Sequence, residues 1–239
     1  MTFSQTSTER EASEQSKAQR VYDHLRGRIR ELKIPPGARL RKNKIAMACG
    51  VSRAPVSEAI TRLASEGLVD VFPQNGSFVS PIREEDIREA LFMRNALEVA
   101  TVKQVTLDAD QELFNRLQEN LQLQAQALEA KKLDLVRLDD LDEMFHSMII
   151  TSIHSPRAQR VLAAARAILD RPRFLALPEH DRPHDTLIEH QRILDAIRTG
   201  DTELAGSAMR VHINNVAEAI DEILTQITEY LDDESASNQ

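Results

Sequence analysis

Four side chains in the second half of the chain have the types and spacing to hold a metal ion. Asp142 and His146 stand four residues apart in "LDEMFHSMI", so on a helix both leave the same face. His190 in "LIEHQRIL" and His212 in "MRVHINN" fall in two later segments. Their neighbours Ile193, Leu194, Val211 and Ile213 place those segments near a core. One carboxylate and three imidazoles drawn from three helices form a nitrogen–oxygen set for a divalent transition metal. Zinc comes first, with nickel, iron, cobalt and manganese also chemically suited. Spacing alone leaves a plainer interpretation open, because a histidine on an apolar helix face is commonly just a hydrogen-bonded, half-buried residue.

A second constellation, in the first third, suits a polyanion. "KIAMACGVSRAPVSEAITRLASEGLVDVFPQNGSFV", Lys44 to Val79, reads as a short helix, a tight turn at Gly50, a second helix and two strands joined by a polar turn. That order is the layout of a winged helix-turn-helix. A reading helix needs short residues at its entry and cations within reach of phosphates or guanine edges. Ser52, Arg53, Pro55 and Ser57 supply the entry, Arg62 lies further along, and Arg41, Lys42 and Lys44 precede them. At the hairpin, Asn75 and Gly76 are placed to enter an adjacent minor groove.

Charge separates the same two regions. Arg20 to Arg83 carries 12 Lys/Arg against 5 Asp/Glu, whereas the remainder carries 18 against 33, so the net charge of −8 conceals a basic module beside an acidic one. A polyanion partner is implied for the first only. The single Cys49 excludes an internal disulfide framework. The polar N-terminus lacks the apolar stretch of a secretory leader, and no run approaches the roughly 18 apolar residues of a membrane span. A reducing cytoplasm and no membrane partner are therefore expected.

Positioning these groups requires a mainly α chain in two parts. Residues 1–16 are expected as a flexible polar tail and 17–81 as the winged helix-turn-helix. Within the second part, Val21, Leu25, Ile29 and Leu32 mark a helix from Lys17 to Leu32, and "KIPPGARL" is a turn. Helices follow from Arg41 to Cys49 and from Ser52 to Glu66, with Val56, Ile60, Leu63, Leu68, Val71 and Cys49 expected inside. Residues 82–232 carry only helical signals and are expected as an all-helical bundle. Its spans are 84–106, 109–131, 134–152, 156–169, 183–198 and 201–232, with "DRPRFLALPEHDRP" irregular and 233–239 a second tail.

"VYDHLRGRIRELKIPPGARL" followed by "GVSRAPVSEAITRLASEGLVDVFPQNGSFV" resembles the winged-helix domain of GntR-type transcription regulators. Two departures stand out. Ser57 replaces the Arg usual in that family, and Arg41-Lys42 stands where an acidic residue usually follows the Leu of "PGARL". From Glu84 onward, "EEDIREALFMRNALEVA", "LDEMFH", "EHQRILDAI" and "MRVHI" resemble the all-helical FCD effector domain of the FadR-type branch, with a helix count like its VanR-like subgroup. The resemblance implies that Asp142, His146, His190 and His212 are the ligands of a divalent metal. It also implies a small carboxylate effector, for which Arg94 is the candidate contact. The alternative for Arg94 is a structural ion pair with Glu98, four residues on.

What these readings jointly imply is a homodimeric, ligand-responsive regulator, repressing from a palindromic operator in double-stranded DNA until an organic acid binds. Two rivals differ in class. A metal-sensing regulator would bind DNA in step with free metal alone. A metal-dependent enzyme would need a general base such as Glu189 or Glu143, and would leave the DNA module unexplained.

Overall fold

A computed structural model describes the backbone of residues 3–108, 111–176 and 182–224, with side chains from Ser16 onward except those of Leu175, Ala176 and Ile223. The chain divides into two compact units between Arg83 and Glu84. The expected tail at 233–239 and the stretch up to Asp232 lie outside the described residues.

In the first unit, α1 (Phe3–Arg30) begins well before Lys17, so the segment expected as a tail is helical from Phe3. The reason is local: between Phe3 and Arg30 there is no proline, only Gly27, and many Glu, Gln, Arg and Ala residues that favour helix. The helix stops at Arg30 rather than Leu32, where the backbone turns left-handed (φ 54°) before the two prolines. Next, α2 (Lys42–Cys49) is closed by Gly50 at φ 64°, a left-handed cap whose N–H reaches back into the last turn. α3 (Arg53–Ser65) starts after an extended Ser52, whose side chain makes no capping hydrogen bond.

β1 (Val69–Phe72) and β2 (Gly76–Val79) pair antiparallel, with Val69 opposite Val79 and Phe72 opposite Gly76. "GARL" is more than a turn. Gly37 and Leu40 donate backbone N–H groups to Val79 and Ser77, Val79 donates back to Ala38, and Arg39 bridges to Phe78. The core joins Val21, Leu25 and Ile29 of α1 to Val56, Ile60 and Leu63 of α3 and to Leu68, Val69 and Val79. Two expected core residues depart from this: Val71 is 54% exposed and Cys49 only half-buried. The core covers Val69, but Val71 on the same strand face lies past its edge.

The second unit contains, among the described residues, α4 (Glu84–Asp108), α5 (Gln111–Leu128), α6 (Leu135–Ser152), α7 (Pro156–Ala176), α8 (Arg182–Thr199) and α9 (Thr202–Leu224). Its apolar cluster draws Val102 from α4, Leu117 from α5, Phe145 and Ile149 from α6, Ile193 and Ile197 from α8, and Met209 and Ile213 from α9. Each such side chain contributes roughly 1.5–3 kcal/mol on burial, which fixes the rotation of every helix and hence which polar residues face inward. α7 departs from expectation by running through Pro172 to Ala176 instead of ending near Leu169. The proline forfeits one backbone hydrogen bond, but Leu169, Asp170, Arg171 and Arg173 around it are all buried, and that packing outweighs the loss. Among the described residues no helix is long and apolar enough to cross a membrane.

Candidate metal centre and nucleic-acid interface

Asp142 and His146 on α6, His190 on α8 and His212 on α9 converge, each offering one ligand atom, and these four atoms all lie within 4.8 Å of one another. All four residues are buried. His190 Nε2 lies 3.5 Å and His146 Nε2 3.9 Å from Asp142 Oδ1, and the Nε2 atoms of His146 and His212 are 3.1 Å apart.

The outer nitrogen of each ring reveals its tautomer. His212 Nδ1 donates to Glu189 Oε2 at 2.7 Å, and His190 Nδ1 to Gln124 Oε1 at 3.1 Å. Gln124 is itself oriented, since its Nε2 donates to Asn120 Oδ1 and Asn120 donates to the Leu141 carbonyl. His146 Nδ1 abuts Glu98 Oε2. Carboxylates and carbonyls only accept, so the ring proton sits on Nδ1 in each case and Nε2 presents a lone pair inward. Two lone pairs facing each other across 3.1 Å repel unless a cation lies between them. His190 Nε2 and Asp142 Oδ1 are likewise buried without a hydrogen-bond partner. These are the properties of metal ligands held by an outer layer of oriented acceptors.

Electrostatics favour the same protonation states. Burial lowers all three imidazoles, His146 to about 4 and His190 well below its ordinary value, so they are neutral at pH 7. Burial pushes Asp142 the other way, but Arg173 foremost, with His146 and Arg166, holds its carboxyl well below the usual range. Arg173 Nη2 and Arg166 Nη2 donate to Asp142 Oδ2 at 2.7 and 2.8 Å, leaving Oδ1 for the centre. A pH prediction follows. The histidine pKa values are depressed on folding, so the neutral rings stabilise the fold above the unfolded value near 6.5, and that contribution is lost as pH falls toward about 4. The melting temperature of chelator-treated protein should fall across this window, and replacing His146 by Gln should flatten the fall.

Arg94 makes the ion pair with Glu98 that was its alternative role. It is fully buried, its Nε donates to Glu98 Oε1 at 2.5 Å, and its Nη1 and Nη2 have no hydrogen-bond partner. Arg166, Arg173, Glu98, Glu189 and Gln124 escaped sequence reasoning, although Glu98 and Glu189 had been noted in other roles. Glu189 does not face the centre as a free base. It is held by His212, by Asn215 at 2.8 Å and by Arg182 through two hydrogen bonds of 2.8 and 3.1 Å. Only the i,i+7 step from Arg166 to Arg173, two turns along one face, signalled the paired guanidiniums.

In the first unit, a cleft is lined by Arg39, Arg41, Lys42, Lys44 and Arg53 together with the hairpin residues Pro73 to Gly76. It gathers five cations and no carboxylate, so it presents a positive surface at the start of α3. Arg41, Lys44, Ser52, Arg53 and Asn75 are exposed, and Lys42, Ser57 and Gly76 partly so. Two expected contacts are corrected. Pro55 is buried in the first turn of α3, where its ring packs inward. Arg62 is outside the cleft: its guanidinium stacks 3.6 Å from the Tyr22 ring centroid, donates to Gln19 Oε1 at 2.7 Å and pairs with Glu66. Arg39, overlooked in the sequence, braces the hairpin by donating to the Asn75 carbonyl at 2.7 Å.

Comparison with known proteins places both units. The pattern of the gntR family of bacterial regulatory proteins matches residues 17–79, and that of the FCD domain matches residues 89–215. An uncharacterised HTH-type transcriptional regulator from an unstable DNA locus of Streptomyces ambofaciens is 37% identical over 85% of this chain and 84% of its own. The HTH-type transcriptional repressor RspR of Escherichia coli is 29% identical over 90% of this chain and 94% of its own. Among solved structures, E. coli McbR/YncC superposes with a TM-score of 0.74 at 21% identity, covering 86% of this chain and 98% of that one, a likeness of fold.

Proposed function

The chain belongs to the GntR family of bacterial regulatory proteins and is a transcriptional regulator with an FCD effector domain, and from that premise we propose that it is a metal-containing repressor released from its operator by a small organic acid. The observation that carries this reading is the convergence of Asp142 Oδ1 with three inward imidazole lone pairs, an arrangement that is repulsive without a cation. Asp142, His146, His190 and His212 would hold the ion. When bound, the ion supplies a Lewis-acidic anchor for a carboxylate. Arg94 supplies the second anchor, because its fully buried fork matches carboxylate geometry and its terminal nitrogens lack partners. Glu98 positions Arg94 and His146 together, so an acid drawing on Arg94 also tugs at a ligand of the centre.

On the DNA side, Arg41, Lys42, Lys44 and Arg53 would contact phosphates or base edges, with Ser52 and Ser57 at the entry of α3. Asn75 and Gly76 would lie at the minor groove, and a homodimer would read a palindrome through two copies. Repression is supported by the E. coli relative named as a repressor. For the acid to release DNA it must bind one arrangement of the protein better than another. Coupling of the usual size weakens DNA affinity by about 5–150-fold. The test is fluorescence anisotropy on duplexes selected from a random pool, titrating the metal-loaded protein with carboxylic acids. Loss of DNA affinity with metal retained is expected. Affinity that instead follows free metal without any acid would assign the site to metal sensing, and failure to select any duplex would overturn the reading altogether.

A further inference from the structure

The buried arginines carry information about the effector that the ligand set does not. Arg94 Nη1 and Nη2, and Arg166 Nε and Nη1, are all buried and without hydrogen-bond partners. Each guanidinium uses one nitrogen to steady a residue of the centre. Arg94 Nε holds Glu98, which backs His146, and Arg166 Nη2 holds Asp142. The remaining forks are thus brought to the same centre from two helices, α4 and α7, and the Arg166 charge lies close enough to disfavour that of Arg94. Buried guanidinium N–H groups left unpaired are costly, and a single carboxylate has too few oxygens to meet both forks and a metal at once.

Charge balance points the same way. The buried carboxylates of this unit are Glu98, Asp139, Asp142, Asp170 and Glu189. They are matched by Arg94, Arg166, Arg171 and Arg173, and by Arg182 paired to Glu189. Among the described residues these carboxylates and guanidiniums are equal in number, so a divalent cation adds two further positive charges. A monocarboxylate would cancel one of them; a dianion would cancel both.

We propose that the effector is a dicarboxylate, with Arg166 as the second carboxylate anchor beside Arg94 and the residue that selects a dianion over a monoanion. This rests on the reading of the second unit as a metal and organic-acid site. Arg166 can serve without leaving its place, because Nη2 stays on Asp142 while Nε and Nη1 form the receiving edge. The exposed arginines of the acidic half have no such constraint, and α7 reaches the centre only because it packs against α4, α6 and α9.

Isothermal titration of the full-length, metal-loaded protein compares succinate, butyrate of the same chain length, and inorganic phosphate, with bound metal counted in every sample. Succinate is expected to bind at least about tenfold tighter than butyrate, the scale of one charge-assisted interaction. Arg166→Lys keeps a cation for Asp142 but removes the fork. It is expected to erase most of the succinate advantage, with the ratio of succinate to butyrate affinity compared in samples of equal metal content. Arg94→Lys should weaken both acids. Equal binding of succinate and butyrate would overturn the dianion assignment while leaving the organic-acid reading intact. Tighter binding of phosphate than of either acid would overturn the dicarboxylate. Binding of none of the three by protein that retains its metal would overturn both this proposal and the organic-acid reading. If Arg166→Lys kept the wild-type ratio of succinate to butyrate affinity, the role of Arg166 as anchor would be refuted.

Discussion

His190→Ala is expected to take bound divalent metal from about one ion per chain to none, and to leave a protein whose melting no longer responds to chelator. His190 Nε2 is buried 3.5 Å from Asp142 Oδ1 without a hydrogen-bond partner, so its loss removes a ligand and, with it, the Nδ1 link to Gln124. In the wild type, metal at a hundredfold excess over its dissociation constant stabilises the fold by about 2.7 kcal/mol. For a domain of this size that corresponds to about 2–4 °C per kcal/mol, so chelation should lower the melting temperature by several degrees. The variant also loses the stack of His190 on Phe145, whose centroids are 4.2 Å apart, and so starts from a lower value. For that reason the measurement is the chelator-induced difference together with elemental analysis, not the absolute temperature. Gln191→Ala, next in sequence but bonded outward to Asp195, serves as control and should behave as wild type. Metal at wild-type stoichiometry in His190→Ala would refute the assignment.

The second large effect concerns DNA. Arg53→Ala and Lys44→Ala are each expected to weaken binding to a selected duplex, by about 1–3 kcal/mol for a base-edge contact, or roughly 5–150-fold. Both side chains are exposed in the basic cleft. Which kind of contact each makes is read from salt. A lost phosphate contact lowers the slope of log affinity against log salt by about 0.9 and affects all sequences alike. A lost base contact leaves the slope and relaxes sequence preference. Arg62→Ala provides the contrast. Because Arg62 is stacked on Tyr22 and bonded to Gln19, its substitution should lower thermal stability while sparing the salt slope. Unchanged affinity in the Arg53→Ala and Lys44→Ala double variant would remove the cleft as the DNA surface.

The proposed regulation requires the second unit to have alternative arrangements, and the outer layer of the candidate metal centre offers the means. Each imidazole is tied to a different helix: His146 to Glu98 on α4, His190 to Gln124 on α5, and His212 on α9 to Glu189 on α8. An anion that repositions Arg94 or Arg166 therefore acts on several helices at once, through discrete hydrogen bonds with alternative arrangements.

Much of this was legible in the chain itself. The order helix, turn, helix, hairpin was fixed by Gly50, the extended Ser52 and the polar "PQNG", because caps and tight turns depend on residues a few positions apart. The helical half was legible for a similar reason, since apolar residues at i, i+3 and i+4 define a face before anything packs on it. Asp142 and His146 could be assigned to one face of one helix by the same arithmetic. Local composition misled at three places. A polar segment without breakers reads as a tail yet forms the first turns of α1, Pro172 is tolerated in mid-helix, and "GARL" adds an isolated bridge from Arg39 to Phe78 beside the hairpin.

The sequence by itself determined which elements exist, where the charge of each half lies, and which four side chains have the chemistry to bind a metal. Tertiary structure alone decided that those four meet, that the Nδ1 partners turn every Nε2 inward, and that Arg166 and Arg173 arrive from a helix expected to end earlier. The physical reason is one of range. Helix, turn and strand preferences are set by neighbours in the chain, whereas the orientation of a buried imidazole or guanidinium is set by an acceptor as far as 66 residues away, as Gln124 is from His190.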